Sequence, residues 1–180
     1  MKYHILSLCT FILLSTSCQE PNTELDAILL ECYDANYQEA GYDIKSIIDA
    51  YEGALVREGI LKDDSGRSYL EVVQKITSDR AFRIEAPAFQ QYDPLLKVAT
   101  ETRMAVFECE QEMTEALKQE DSKWKSLDSI LKSPKLQENP HLMYQRCSEV
   151  LSEQDLNSYY FKLKMFQLFD AANAQWETGR

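Results

Sequence analysis

The feature that most constrains the fold is the predicted C-terminal helix, from about Glu153 to Trp176, with Ser152 as its N-cap. Its apolar side chains cover well over half of its circumference. They are Leu156, Tyr159, Tyr160, Phe161, Leu163, Met165, Phe166, Leu168 and Phe169. Such a helix usually forms the buried centre of a domain. The alternative is an exposed side whose aromatic residues bind a partner. The candidates for that partner surface are Tyr159, Phe161, Phe166 and Phe169.

The rest of the chain predicts helices that each have one apolar face. Those faces need a common buried centre to pack against. Apolar residues recur at helical spacing after starts near Thr23, Asp43, Ser68, Asp93, Ser122 and Asn139. Residues 79–92 lose this period, and alternating Phe82, Ile84 and Ala86 allow a brief extended segment. No internal repeat of 20–50 residues is visible. The sequence therefore predicts an all-α fold, a single irregular bundle of about six or seven helices.

Glycines and short motifs predict where several helices end or begin. Gly41 is expected to end the first helix near Ala40, and Gly59 the second, with Ile60 making the contact of a Schellman motif. Gly66 is expected to take a positive φ in a turn over residues 62–67. Ser68-x-x-Glu71 has the spacing of a capping box for the third helix.

The predicted fourth helix, from Asp93-Pro94, has a coiled-coil-like seam. Its members are Leu95, Ala99, Thr102, Val106, Cys109, Met113 and Ala116. A separate strip of Glu108, Glu112 and Glu115 is interpreted as a solvated face. Metal sites in ferritin-like bundles need Glu-x-x-His pairs, and no acid lies three residues before His141. Residues 62–67 lack the ligand spacing of a calcium loop, so no metal site is predicted.

The N-terminus has the pattern of an export signal. Lys2 precedes an apolar run of about ten residues, Ile5–Leu14, and the small residues 15–17 follow. The run is roughly half of the ~20 residues that cross a bilayer core. Small residues followed directly by Cys18 resemble the lipobox of bacterial lipoproteins. The resemblance covers these residues only, and it departs from the strict pattern at Ser15, where the lipobox has Leu.

The resemblance implies cleavage before Cys18, acylation of its thiol and attachment to the lipid bilayer. In such lipoproteins, Asp directly after the cysteine causes retention at the inner membrane; Gln19 stands there, which favours the outer membrane. The alternative is ordinary secretory cleavage after Ser17, with Cys18 left as a thiol. We expect a signal peptide over residues 1–17, the lipidated cysteine and a short tether over residues 18–22, and one all-α globular domain over residues 23–180.

Three cysteines remain in the predicted domain, all on inward stripes: Cys32, Cys109 and Cys147. An oxidising envelope permits a disulfide, and Cys32–Cys109 would join the first helix to the fourth. The other interpretation is that all three are buried small apolar side chains. There is no C-x-x-C motif, so neither a redox pair nor a zinc site is predicted.

The charge balance limits the classes of partner. The chain has 19 Lys and Arg against 30 Asp and Glu, a net charge of −11. Loss of Lys2 with the signal makes it −12. This charge disfavours binding to nucleic acid or anionic head groups through the general surface. The negative charge either keeps the protein soluble or complements the charge of a basic envelope protein.

No motif predicts catalytic residues or a cofactor. The chain lacks G-x-S-x-G and a glycine-rich phosphate loop, and His141 is its only histidine after residue 17. The sequence favours a membrane-anchored envelope lipoprotein that binds another envelope protein or serves as an accessory subunit. One alternative is an inhibitor or immunity lipoprotein that masks a basic toxin or hydrolase. Another is a carboxylate-dependent envelope hydrolase, which a polar pocket with two facing carboxylates would favour over a flat acidic or aromatic patch.

Overall fold

The computed structural model describes residues 23–79, 81–93, 97–117 and 123–178. These ranges contain eight α-helices and no β-strand, which confirms the predicted all-α fold. The helices are α1 Thr23–Tyr37, α2 Ile44–Arg57, α3 Gly66–Ser78, α4 Thr100–Leu117, α5 Lys123–Leu131, α6 Pro134–Gln137, α7 Pro140–Val150 and α8 Tyr159–Thr178. The described residues form eight helices rather than the predicted six or seven, because Pro134–Gln137 forms a separate short helix. The predicted signal, Cys18 and tether lie outside the described residues.

The start and end of α2 follow the local sequence. Asp43 Oδ1 accepts from the backbone N–H of Lys45 at 2.9 Å and of Ser46 at 3.3 Å, which caps the helix N-terminus. At the other end, the Gly59 N–H donates to Val56 O and the Ile60 N–H to Leu55 O. Gly59 has φ 71° there, so the predicted Schellman motif is confirmed. Gly41, with φ 78°, likewise ends the 3-10 turn Gln38–Ala40 that extends α1.

The start of α3 differs from its prediction. Its N-cap is Ser65, whose Oγ accepts from the Ser68 N–H, so the predicted capping box at Ser68 is wrong. Gly66 lies inside the helix rather than in a positive-φ turn. It is buried, and a Cβ there would lie 1.8 Å from Glu153 O. A glycine is needed at this position because the backbone of another segment approaches it closely.

The segment before α4 is held by tertiary contacts. Within residues 81–93 the chain has no strand, only a 3-10 turn at Phe89–Gln91. The Asp170 carboxylate of α8 accepts from the backbone N–H of Phe89 at 2.8 Å and of Gln90 at 3.1 Å. Burial nevertheless raises the pKa of Asp170. α4 begins at Thr100, so the predicted start at Asp93-Pro94 is wrong.

α8 begins later than predicted but lies at the centre of the core. The loop before it contains a 3-10 turn at Asp155–Asn157, and the helix starts at Tyr159 rather than Glu153. The Asp155 carboxylate fixes that loop: its Oδ2 accepts from Ser152 N–H and pairs with Lys123 Nζ at 2.6 Å. The α8 side chains that are at most 4% exposed are Tyr160, Phe161, Leu163, Met165, Phe166, Leu168, Phe169 and Ala172.

Phe166 lies where several elements meet. Its ring centroid is 4.7 Å from that of Tyr51 on α2, 5.3 Å from Phe89 and 5.9 Å from Tyr69 on α3. These are the separations at which aromatic pairs attract beyond their area burial. α8 therefore forms the buried centre that its all-round apolar pattern predicts.

Two links join α1 to α4. Cys32 and Cys109 form a disulfide with their Cα atoms 5.9 Å apart, so the structure has this pair bonded rather than as two free thiols. At the next residue of α1, the Tyr33 hydroxyl donates to Glu110 Oε1 at 2.8 Å. Cys147 is free and buried, and burial raises the pKa of its thiol to about 12.

Candidate functional site

The candidate partner surface on the last helix is not available in this structure. Phe161, Phe166 and Phe169 are all 0% exposed, because other residues of the hydrophobic core cover them. Tyr159 is half-buried, and its hydroxyl donates to Asp49 Oδ1 at 2.9 Å. The alternative interpretation of these four residues as a partner surface is therefore corrected to a core role for the three phenylalanines.

The apolar surface that the structure exposes lies on α4 instead. Met104 and Phe107 are each 51% exposed, the large hydrophobic side chains most open to solvent among the described residues. They stand three residues apart, so they share one face of the helix, and the exposed Gln111 continues that line by another turn. We name Met104, Phe107 and Gln111 the α4 ridge.

The sequence contained a signal for this ridge. The inward seam of α4 carries Val106 and Met113, both buried, and the disulfide cysteine Cys109. Met104 and Phe107 are large apolar residues on the same helix that the seam does not include. Apolar residues that remain after the buried stripe is assigned are candidates for a binding surface.

A row of acidic side chains runs beside the ridge. Glu101, Glu108 and Glu115 are all exposed and are spaced seven residues apart, which is close to two helical turns. They therefore lie in line along α4, next to Met104 and Phe107, and we name them the acidic stripe. Glu112 is exposed as well. The predicted strip of Glu108, Glu112 and Glu115 thus lies at the surface.

A pocket of about 450 Å³ opens beside the ridge, between α4, α5 and α8. Phe107 and Gln111 belong to both the ridge and the pocket wall. The remaining wall combines apolar side chains with charged ones. These are Glu110, Met113 and Glu115 from α4, Trp124 and Asp128 from α5, Lys132 directly after α5, and Tyr160 and Lys164 from α8.

The aromatic part of the pocket wall is closely packed. The rings of Trp124 and Tyr160 meet edge to face, 4.6 Å apart at an interplanar angle of 89°. Both side chains are at most 4% exposed. Burial raises the pKa of Tyr160, so its hydroxyl is neutral at physiological pH. The two rings therefore form the closely packed aromatic base of the pocket.

Two lysines in the pocket wall are each paired with a carboxylate of the same wall. Lys164 Nζ lies 2.9 Å from Glu110 Oε1 and 5.4 Å from the Tyr160 ring centroid. The same Glu110 Oε1 accepts from the Tyr33 hydroxyl, and burial and Glu110 raise the pKa of Tyr33. On the other side of the pocket, Lys132 Nζ lies 2.8 Å from Asp128 Oδ1.

This arrangement favours recognition over acid–base chemistry. A hydrolytic dyad needs two carboxyl groups free to reach the scissile bond. Here Glu110 Oε1 and Asp128 Oδ1 are already in contact with lysines of the same chain. No group of three or more His, Cys, Asp or Glu side chains in the described part of the chain could hold a metal ion. The buried thiol of Cys147 is protonated at neutral pH and is a poor nucleophile.

A second polar cluster lies inside the core. Lys162 of α8 and Glu52 of α2 are 8% and 7% exposed, with Nζ 2.6 Å from Oε1. The Tyr69 hydroxyl donates to the same Glu52 oxygen at 2.8 Å, and burial raises the pKa of Tyr69. No local sequence pattern marks this cluster, because its members come from three helices. It is enclosed by the core, so we assign it to the fold rather than to a binding site.

Comparisons with protein-family models, with curated protein sequences and with solved structures gave no match to this chain. Among the residues that the structure describes, no helix is both long and apolar enough to span a membrane. The geometry of the α4 ridge and its pocket is therefore the starting point for assigning a function.

Proposed function

We propose that this protein is a lipoprotein of the cell envelope, anchored by acylated Cys18, that binds another envelope protein through the α4 ridge and the adjoining pocket. The observation that carries the binding role is the exposure of Met104 and Phe107 on one face of α4, with Phe107 also in the wall of that pocket. Exposed apolar side chains beside a preformed pocket are typical of protein–protein interfaces. The polar rim around them is typical as well.

Two features support the envelope location. Small residues lead directly into Cys18 after a short apolar run, as in bacterial lipoproteins. The Cys32–Cys109 disulfide fits an oxidising compartment, where such bonds form and persist. Both features agree with export, and the first adds the anchor.

The inhibitor alternative belongs to the same binding class. An acidic protein that masks a basic toxin or hydrolase would use the acidic stripe together with the ridge. The hydrolase alternative has one observation in its favour, the acidic side chains in the pocket wall. The ion pairs of Glu110 and Asp128 weigh against it, because those oxygens are already in contact with lysines.

Site-specific photo-crosslinking in the producing cells tests the binding role. A photoreactive phenylalanine analogue replaces Phe107, and in a control strain it replaces Gln74, which is exposed on α3. We expect a discrete adduct of constant mass from position 107 and none from position 74. No adduct at position 107, or the same products from both positions, would contradict a partner at this site.

A further inference from the structure

The partner's chemistry can be inferred from the pattern of side chains along α4. Resting on the proposed function, we infer that the partner presents a basic amphipathic α-helix that lies along the α4 ridge. One of its apolar side chains inserts at the pocket mouth beside Phe107. Three properties of the site support this partner. They are the spacing of the side chains along α4, the negative charge of the acidic stripe, and the pocket beside Phe107.

The spacing fits a helix. Glu101 and Glu115 are fourteen residues apart on α4, so the acidic stripe is ~21 Å long at the rise of an α-helix. The ridge runs parallel to it, from Met104 to Gln111, over ~10 Å. A partner helix of about four turns can follow both lines, with apolar residues at i, i+3 and i+7 over the ridge. Its basic residues would then face the stripe.

The negative charge of α4 favours a basic partner. α4 carries five glutamates and a single basic residue, Arg103. A second copy of this acidic chain would bring like charges together, whereas a row of Lys or Arg would meet the stripe with opposite charge. Such complementarity also accelerates encounter, by steering the partner towards the face before contact.

The exposed apolar area of the ridge is small, so stable binding would require a partner side chain inserted into the pocket. Met104 and Phe107 alone are two half-exposed residues, a small area for a stable interface. The pocket of about 450 Å³ beside them adds Trp124, Met113 and Tyr160 as a wall. A Leu, Phe or Trp of the partner inserted there would be the buried central anchor that dominates binding in many interfaces.

Three synthetic peptides of about 18 residues, ~27 Å long as helices, test this inference. The first is amphipathic with Lys and Arg on its polar face. The second keeps the apolar positions but has Glu on the polar face. The third has the composition of the first with its apolar residues redistributed around the helix. Affinity is measured for the mature wild-type chain in phosphatidylcholine nanodiscs, with empty nanodiscs as the reference.

We expect the first peptide to bind at least about tenfold more tightly than either of the others. Its affinity should fall as salt is raised, because the charges are exposed. Phe107→Ser should weaken it by about tenfold or more, whereas Gln74→Ser on α3 should leave it unchanged. Circular dichroism and the melting temperature of both variants establish that each is folded.

Equal binding of the redistributed peptide would overturn the inference, because attraction would then depend on net charge alone. Binding of the acidic peptide, or an unchanged affinity in Phe107→Ser, would overturn it too. Dimers of the purified chain that disappear in Phe107→Ser would mean that a second copy occupies the ridge. If the peptides fail while the crosslink at position 107 persists, the inference is wrong and the proposed function stands. Without the crosslink, the proposed function itself fails.

Discussion

At the scale of single residues, Phe166 connects more of the core than its size alone indicates. Its ring contacts Tyr51, Tyr69 and Phe89, which come from α2, α3 and the segment before α4. Phe166→Ala should therefore lower the free energy of unfolding by ~3–5 kcal/mol, because it leaves a cavity that three elements cannot fill together. For a domain of this size the melting temperature should fall by roughly 6–20 °C.

Met104→Ala is the matched control for that substitution, because Met104 is a large apolar side chain that is 51% exposed. Its melting temperature should change little, since exposed substitutions usually stay within ~0.5 kcal/mol. Both variants are compared by thermal unfolding monitored by circular dichroism. A Phe166→Ala protein that melts with the wild type would contradict the central position of α8.

Single residues also show where sequence patterns stop being informative. Lys162 is a charged residue within the most apolar part of α8, yet it is buried, because Glu52 of α2 and the Tyr69 hydroxyl form a polar cluster with it. Gly66 was expected in a positive-φ turn, but it is needed for the close approach of Glu153. In both cases the decisive neighbour is distant in sequence, so local reasoning could not identify it.

At the scale of elements, the helices and their buried stripes follow from apolar spacing, but several helix starts do not. The ends of α2 are local, made by Asp43 and by Gly59 with Ile60, and they were predicted. The starts of α4 and α8 were placed several residues too early. Asp170 holds the segment before α4, and Asp155 holds the loop before α8, each by contacts to its backbone. The bonds of Asp170 and the ion pair of Asp155 with Lys123 come from segments distant in sequence, so local helix propensity does not contain them.

Local sequence patterns also do not contain the whole of the candidate site. The apolar seam predicts the inner face of α4, whereas the exposed pair Met104 and Phe107 is recognised only in the structure. The pocket beside them needs α4, α5 and α8 to be assembled, so no local pattern contains it. The aromatic residues of α8 were considered as a surface because the sequence does not show how many helices cover it.

The disulfide between α1 and α4 gives a prediction for these elements. It closes a segment whose ends are 77 residues apart, which in the chain-entropy model stabilises the fold by about 4–5 kcal/mol. It borders an open groove in which Cys109 is partly exposed, so small reductants can reach it. Reductant should lower the melting temperature of residues 19–180, and the effect should vanish in the variant with both Cys32→Ala and Cys109→Ala.

A thiol count checks the same bond without unfolding data. Unreduced residues 19–180 should show no reactive thiol when native, because Cys147 is buried and its pKa is raised to about 12. In denaturant one thiol should react, and three should react after reduction. Three reactive thiols in denaturant without reductant would contradict the disulfide.

At the scale of the whole molecule, the proposed function joins one anchor to one binding face. The predicted tether, residues 18–22, is five residues long and spans at most ~18 Å when extended. Such a short tether would keep the domain close to the bilayer, so its partner would be a membrane protein or a protein at the membrane surface. Two or three acyl chains make attachment effectively permanent, at about 0.8 kcal/mol per buried CH₂.

Labelling with palmitate in the producing cells, followed by fractionation, tests this account most directly, because the proposed place of the protein in the envelope depends on the anchor at Cys18. Wild-type protein and Cys18→Ala are expressed at equal levels. We predict that label enters the wild type alone, and that Cys18→Ala leaves the membrane fraction while keeping its helical circular dichroism spectrum. Equal membrane retention of both forms, with no label in either, would contradict the account.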